Sequence, residues 1–137
     1  MQNPPPVQSG KSSTGLDENI ASLIAYLAGW VSGLIFFLIE KSSRLVRFHA
    51  MQSILLNVVL VVIWIVIMIV VSILVLILGQ VSSALAGIVS LLSVLLYLVG
   101  GLVTLLVWVL CLVKAFQGQM YKLPVIGEYA EKFSAPK

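Results

Sequence analysis

FHAMQSILLNVVLVVIWIVIMIVVSILVLILGQVSSALAGIVSLLSVLLYLVGGLVTLLVWVLCLV, residues 48–113, runs 66 positions without one Asp, Glu, Lys or Arg, and His49 is its only side chain that titrates near neutral pH. Lipid, not water, suits such a stretch. A helix rises ~1.5 Å per residue and the hydrocarbon core is ~30 Å thick, so one crossing takes about 20 apolar residues and this stretch is long enough for more than one. The only good turn signal inside it is Gly79-Gln80-Val81-Ser82-Ser83. Turning instead at Gly100-Gly101 would leave pieces of 16 and 12 residues, short of the ~17–25 that crossing requires. That Gly pair is therefore expected as a close-packing point within one long helix.

Working outward, a second apolar run covers Ile20 to Ile39 and is also long enough to span. Hydrophobic residues make up 61% of the 137-residue chain and charged residues 9%, against about 25% charged in ordinary soluble domains. The expected fold is therefore all-α: an integral membrane protein with three transmembrane helices, over about 20–39, 51–78 and 84–113, and a short C-terminal amphipathic helix. These spans make up a membrane domain over residues 16–116, leaving no room for a soluble catalytic domain. Residues 1–15, with Pro4-Pro5-Pro6 and few hydrophobes, read as a disordered N-terminal tail. Lys11, Asp17 and Glu18 precede the first run in place of a basic n-region, and the run exceeds the usual ~7–15-residue h-region, so it is expected to stay in the mature protein. Thr14 with Asp17 has capping-box spacing, which starts the first helix near Asp17.

Basic residues set the expected orientation. Lys41, Arg44 and Arg47 lie between the first two spans, and Lys114, Lys122, Lys132 and Lys137 follow the third, while only Lys11 precedes the first. The positive-inside rule then places the richer segments in the cytoplasm and the N-terminus outside the cell membrane.

Small residues every fourth position, Ala21, Ala25, Gly29 and Gly33, mark a face of the first span that another backbone can approach. The third span carries Ser83, Ala86, Ser90, Ser93, Tyr97, Gly100, Thr104, Val107 and Cys111 on one stripe, whereas the second is almost continuous Val, Ile and Leu. Spans one and three are thus expected in tight contact, with span two covering them. Trp30, Trp64 and Tyr97 fall near mid-span and need partners for their polar atoms. Helix-packing residues on this reading are Ala25, Gly29, Gly33, Asn57, Ser93, Tyr97 and Gly100.

Arg44, Arg47, His49, Gln52, Ser53 and Asn57 gather at the mouth of span two, with His49, Ser53 and Asn57 sharing a face at four-residue spacing. Asn57 is expected to bond another helix. Arg44, Arg47, His49, Gln52 and Lys122 are the candidates for binding a partner or lipid headgroups. Glu40 sits too near the interface to serve as a buried proton carrier. Near the C-terminus, Ile126, Tyr129, Ala130 and Phe133 follow i, i+3, i+4, i+7 spacing, giving an amphipathic helix within a cytoplasmic tail over 117–137. Its mixed charge favours packing on protein, with Glu128 or Glu131 pairing with Arg44 or Arg47. The single cysteine, Cys111, leaves no disulfide framework within one chain. No catalytic residue set, cofactor or metal site is expected, and no nucleic-acid partner or small-molecule substrate. Membrane lipids, further copies or other membrane proteins are the expected partners of a non-enzymatic component.

Gly15-Leu-Asp-Glu-Asn19, Phe36-Phe37-Leu38-Ile39-Glu40-Lys41, Arg44-Leu-Val-Arg47-Phe48-His49-Ala50-Met-Gln52-Ser53 and Lys122-Leu123-Pro124-Val125-Ile126-Gly127 together resemble a family of uncharacterised small bacterial and archaeal membrane proteins. That family is commonly grouped with the twenty-kilodalton subunit of the chloroplast inner-envelope protein-import translocon. The resemblance covers about residues 15–133 and implies a helical membrane domain of unknown activity. It also implies, as the alternative function, a channel or protein-translocation component. The plastid protein is usually described with four spans, against three counted here.

Overall fold

The computed structural model describes residues 10–135. Residues 1–9 of the expected tail, and residues 136–137 with Lys137, lie outside them. Among the described residues the chain is helical: α1 (Glu18–Leu27), α2 (Trp30–Ile39), α3 (Arg44–Val81), α4 (Ser83–Phe116) and α5 (Ile126–Ser134). It divides into two compact units, one formed by the chain up to Val58 together with Trp108 onward, the other by Val59–Val107.

Val59–Val107 is a helical hairpin. α3 and α4 are each long and apolar enough to cross a membrane, and the 23 residues of α3 within this unit rise about 35 Å. Ser82 alone separates the two helices, its N–H bonding Leu78 O at 2.9 Å while its hydroxyl accepts from the Ala84 N–H at 3.2 Å. The turn is tighter than the five-residue signal suggested, because Gly79–Val81 continues α3. α4 passes unbroken through Gly100-Gly101, as expected. A Cβ on Gly100 would lie 2.6 Å from Trp64 Cη2, so the indole rests on bare backbone there, and the Tyr97 ring stands 5.9 Å from the Trp64 ring. At Tyr97 and Gly100 the small-residue stripe of α4 thus meets α3, whereas the sequence reading paired the whole stripe with the first span. Glycine removes the side chain that would block an indole, and Trp64 supplies the bulk that fills the gap.

The other unit corrects the expectation for residues 20–39. Instead of one spanning helix there are two ten-residue helices, α1 and α2, broken at Ala28-Gly29. Gly29 has φ 62° and ψ −134°, a mirror-image conformation that costs glycine little and L-residues much. Ser32 Oγ holds the turn, donating to Ala25 O at 3.0 Å and accepting from the Ala28 N–H at 3.0 Å. The legs fold back on one another, so Ser13, before α1, lies against Glu40, after α2. Both ends of the expected first span therefore sit together.

Residues 10–15, expected within the flexible tail, are tied down. The Ser12 N–H bonds Leu16 O at 2.8 Å, the Glu18 N–H bonds Gly10 O at 3.0 Å, and Lys11 reaches Asp17 at 2.6 Å. α1 begins where expected, with Asp17 at its N-cap, but the capping box is not formed. Asp17 pairs with Lys11, and the Thr14 hydroxyl bonds Ser12. The core between α1, α2 and α3 is Ala21, Ala25, Phe36, Val46 and Ala50. Gly33 allows this packing: a Cβ there would meet Ala50 O at 2.9 Å and Ser53 Cβ at 3.1 Å. The small residues of the first run therefore serve its contact with α3. α1 also touches α4, through Asn19 Nδ2 to Phe116 O at 3.1 Å and Trp108 Nε1 to Tyr26 O at 2.9 Å.

Candidate functional site

Three polar arrangements occupy the first unit. The innermost is built on α3, where His49 and Gln52 are fully buried. Gln119 O accepts from His49 Nε2 at 2.8 Å; because a carbonyl only accepts, Nε2 carries the proton and Nδ1 is the acceptor. The Tyr26 hydroxyl then donates to Nδ1 at 2.9 Å and accepts from Gln52 Nε2 at 3.0 Å. The second Gln52 amide hydrogen goes to Tyr121 O at 3.0 Å, and Oε1 accepts from the Leu123 N–H at 3.2 Å. Each donor finds an acceptor. The network fastens residues 119–123, the strap leading to α5, along α3.

This corrects the reading of His49 and Gln52 as partner or headgroup contacts, since neither reaches the surface. Their spacing correctly signalled a shared face but could not show that the C-terminal strap covers it. Ser53, also on that face, donates to Gly29 O at 3.0 Å. Asn57 departs from expectation: its amide donates to Ser53 O in its own helix at 2.8 Å and lies beside Gly29, so it fills the hairpin tip and does not bridge helices by a hydrogen bond. Ala25 is buried in the core as a packing residue, and buried Ser93 in the hairpin unit bonds back to Ser90 O at 2.7 Å.

Glu40 organises the second arrangement. Its carboxylate, fully buried, accepts from the Ser13 N–H (2.9 Å) and hydroxyl (2.7 Å), the Ser42 N–H (3.0 Å) and the Ser43 N–H (2.8 Å). Burial alone would raise the Glu40 carboxyl, but the bonds from Ser43, Ser13 and Ser42 outweigh it and hold the group below the ordinary carboxylate range. The anion caps the entry to α3, where Ser43 Oγ also accepts from the Val46 N–H at 3.3 Å. Arg47, expected to face a partner, is turned inward. Its guanidinium lies 4.5 Å over the Phe37 ring and donates to Glu40 O (2.6 Å), Phe37 O (3.2 Å) and Ser134 O (3.1 Å). Those carbonyls end α2 and α5 and would otherwise lack partners.

The third arrangement is the exposed rim. Glu131 on α5 pairs with Arg44 at 3.0 Å, as the sequence suggested, and with Lys122. Lys122 holds the Glu131 carboxyl below its usual range, against a smaller upward push from burial, and Arg44 adds to the lowering. Of the five candidate contact residues, Arg44 and Lys122 are exposed, Arg47 is partly so, and His49 and Gln52 are buried. Sequence reasoning missed Tyr26, Trp108 and Ser13, and assigned Glu40 no role. The one signal available was Glu40 followed by two serines, a grouping suited to anchoring a helix entry.

The family of magnetosome magnetite crystal formation proteins matches residues 16–130. UPF0132 membrane protein MJ1443 of Methanocaldococcus jannaschii is 38% identical over 134 residues, covering 91% of this chain and 96% of that protein. MJ1527 of the same organism is 34% identical over 123 residues, 87% of this chain and 71% of its own. A UPF0132 membrane protein of Archaeoglobus fulgidus is 32% identical over 117 residues, 85% and 95%. No solved structure matches. The expected kinship with small prokaryotic membrane proteins is met, while the plastid grouping has no counterpart among these relatives. With α3 and α4 apolar over a bilayer's thickness and its relatives named as membrane proteins, the chain is a membrane protein and belongs to the magnetosome magnetite crystal formation protein family.

Proposed function

We propose that this chain is a non-catalytic multi-pass protein of the cell membrane, working as an oligomer or within a larger assembly, whose charged end receives a cytoplasmic partner at the rim of Arg44 and Lys122. One observation carries the reading: every described Lys, Arg, Asp and Glu belongs to the first unit, and Val59–Val107 contains none. By the positive-inside rule the charged end faces the cytoplasm. Ser13 lies on Glu40, so the chain enters and leaves on that side, with two crossings and a helical hairpin re-entering from it. This orientation replaces an external N-terminus. A structural role for the polar core is supported by its complete internal bonding, which leaves neither nitrogen of His49 free to move a proton.

Membrane channels place re-entrant hairpins at depth, and that is the observation favouring conduction as a second reading. The groove beside Trp64 offers it little, since seven of its eight lining residues, Thr104 excepted, are apolar or glycine. The family's description names magnetite crystal formation. That activity is not part of the reading for this chain.

The test is maleimide labelling in a Cys111→Ala background. Leu16→Cys and Ser42→Cys should react from the cytoplasmic side, and Ser82→Cys from the other. Reaction of the first two from opposite sides would overturn the topology. Crosslinking from Lys41 should capture a protein that Arg44→Glu with Lys122→Glu loses; unchanged capture would overturn the rim. Conductance in a planar bilayer that vanished on Asn57→Leu or Tyr97→Leu would decide for the second reading.

A further inference from the structure

α5 is amphipathic in an unexpected sense. Its small residues Gly127, Ala130 and Ser134 are the ones buried on the protein, while Tyr129 and Phe133 are 51% and 54% exposed, with rings stacked 6.2 Å apart. One turn before them stands Val125, 68% exposed. It has φ 65°, a left-handed conformation that a β-branched residue adopts only at a cost. Glycine would fit that backbone more easily, but it would not present an isopropyl group in line with the two rings. At ~100° per residue Tyr129 and Phe133 lie about 40° of arc apart on α5, and Val125 stands immediately before its first residue. Lys132 borders that arc on its open side, and Glu131 is turned away to Arg44 and Lys122.

We propose that this face, Val125, Tyr129 and Phe133, is seated in the headgroup–acyl boundary of the phospholipid bilayer that α3 and α4 cross. Three observations choose lipid as the occupant. Aromatic rings are enriched at that depth. The basic residue at the edge of the patch suits a phosphate layer, its stem lying along apolar surface while the ammonium reaches headgroups. Within the same unit exposed apolar side chains also recur along the chain leading to α5, at Val113 and Phe116 at the end of α4, at Tyr121 with Lys114 Nζ 5.6 Å from its ring, and at Val125. α5 is then a two-sided clamp, fixed to α3 by Arg44 and Arg47 and to lipid by its aromatic side. The proposal rests on the membrane-spanning reading above.

The experiment separates the two. Nitroxide labels are placed through Tyr129→Cys, Phe133→Cys, Glu128→Cys and Val66→Cys on the full-length chain carrying Cys111→Ala, in phosphatidylcholine–phosphatidylglycerol vesicles. Accessibility to oxygen and to an aqueous nickel chelate is then measured. Labels at 129 and 133 should favour oxygen and report a depth of about 5–10 Å, whereas the label at 128 should favour nickel and that at 66 should be deepest. If 66 is deep but 133 is as nickel-accessible as 128, the face lies in water and this proposal alone falls. Shielding of 133 from both probes would mean that protein covers it, overturning the proposal in favour of a second copy or a partner. A label at 66 open to nickel would overturn the spanning reading, and this inference with it.

Discussion

Replacing Gln52 by Leu keeps the volume of a fully buried side chain but removes its two donors and its acceptor. Tyr26 retains His49 as a partner. The Tyr121 carbonyl and the Leu123 N–H do not retain theirs, because among the described residues Gln52 is the only hydrogen-bond partner of either. An orphaned buried polar group costs about 1–3 kcal/mol, so two together cost about 2–6 kcal/mol; Tyr121 is partly exposed and draws the sum toward the lower figure. At 1.4 kcal/mol per tenfold change, even about 2 kcal/mol speeds local opening roughly thirtyfold. Hydrogen exchange by mass spectrometry in lipid nanodiscs reads this directly. Peptides over residues 119–134 should exchange at least about thirtyfold faster, while peptides from Val59–Val107 keep their native rates. Tyr26→Phe makes a graded comparison: it deprives His49 Nδ1 and one Gln52 hydrogen of a partner but leaves all three bonds to the strap. Its effect on the strap should be clearly smaller. Strap exchange within about threefold of native in Gln52→Leu would show that the strap is not held from α3, and the account of the polar core would fail.

Gly29→Ala places a Cβ in a conformation that costs L-residues about 1–3 kcal/mol and brings it 3.2 Å from Asn57 Oδ1; a lowered unfolding midpoint in detergent is expected, and an unchanged one would argue against the break at this residue. Gly100→Ala drives a methyl into the Trp64 indole, at an overpacking cost of about 1–3 kcal/mol. Trp64→Leu should relieve that cost, and a double variant no more stable than Gly100→Ala alone would refute the contact. Glu40 sits below its unfolded value, so its contribution is fully present above about pH 4.3 and is lost as pH falls through the lower folded value. Protection from exchange over residues 10–16, taken relative to the intrinsic rate at each pH, should therefore fall on acidification, and Glu40→Gln should show low protection already near neutrality with no further change as pH falls. Glu131 shifts in the same direction through Lys122, so the comparison is best made in a Glu131→Gln background. A Glu40→Gln profile that overlays the parent would refute the assignment.

Hydropathy made α3, α4 and the turn between them legible, because a charge-free run of 66 residues admits few alternatives once helix rise and bilayer thickness are compared. It could not distinguish the two forms open to residues 20–39. Twenty apolar residues make one crossing of about 30 Å or two legs of about 15 Å, and which one forms rests on the backbone of a single glycine. Gly29 and Gly33 are equivalent in a small-residue pattern, yet Gly29 turns the chain while Gly33 admits the Ala50 carbonyl. The site was hidden for a related reason. His49 and Gln52 were visible as a face, but what covers that face arrives about seventy residues later, through backbone groups of Gln119, Tyr121 and Leu123 that carry no side-chain signature. Charge held the missing clue. A crossing by residues 20–39 would strand Lys11 on the far side from the basic residues that follow it, whereas the folded hairpin returns Ser13 to Glu40 and keeps Lys11 beside Asp17. A break at glycine, a buried carboxylate that gathers the serines around it, and the absence of charge from Val59–Val107 are thus mutually consistent, and a straight first span would contradict the first two.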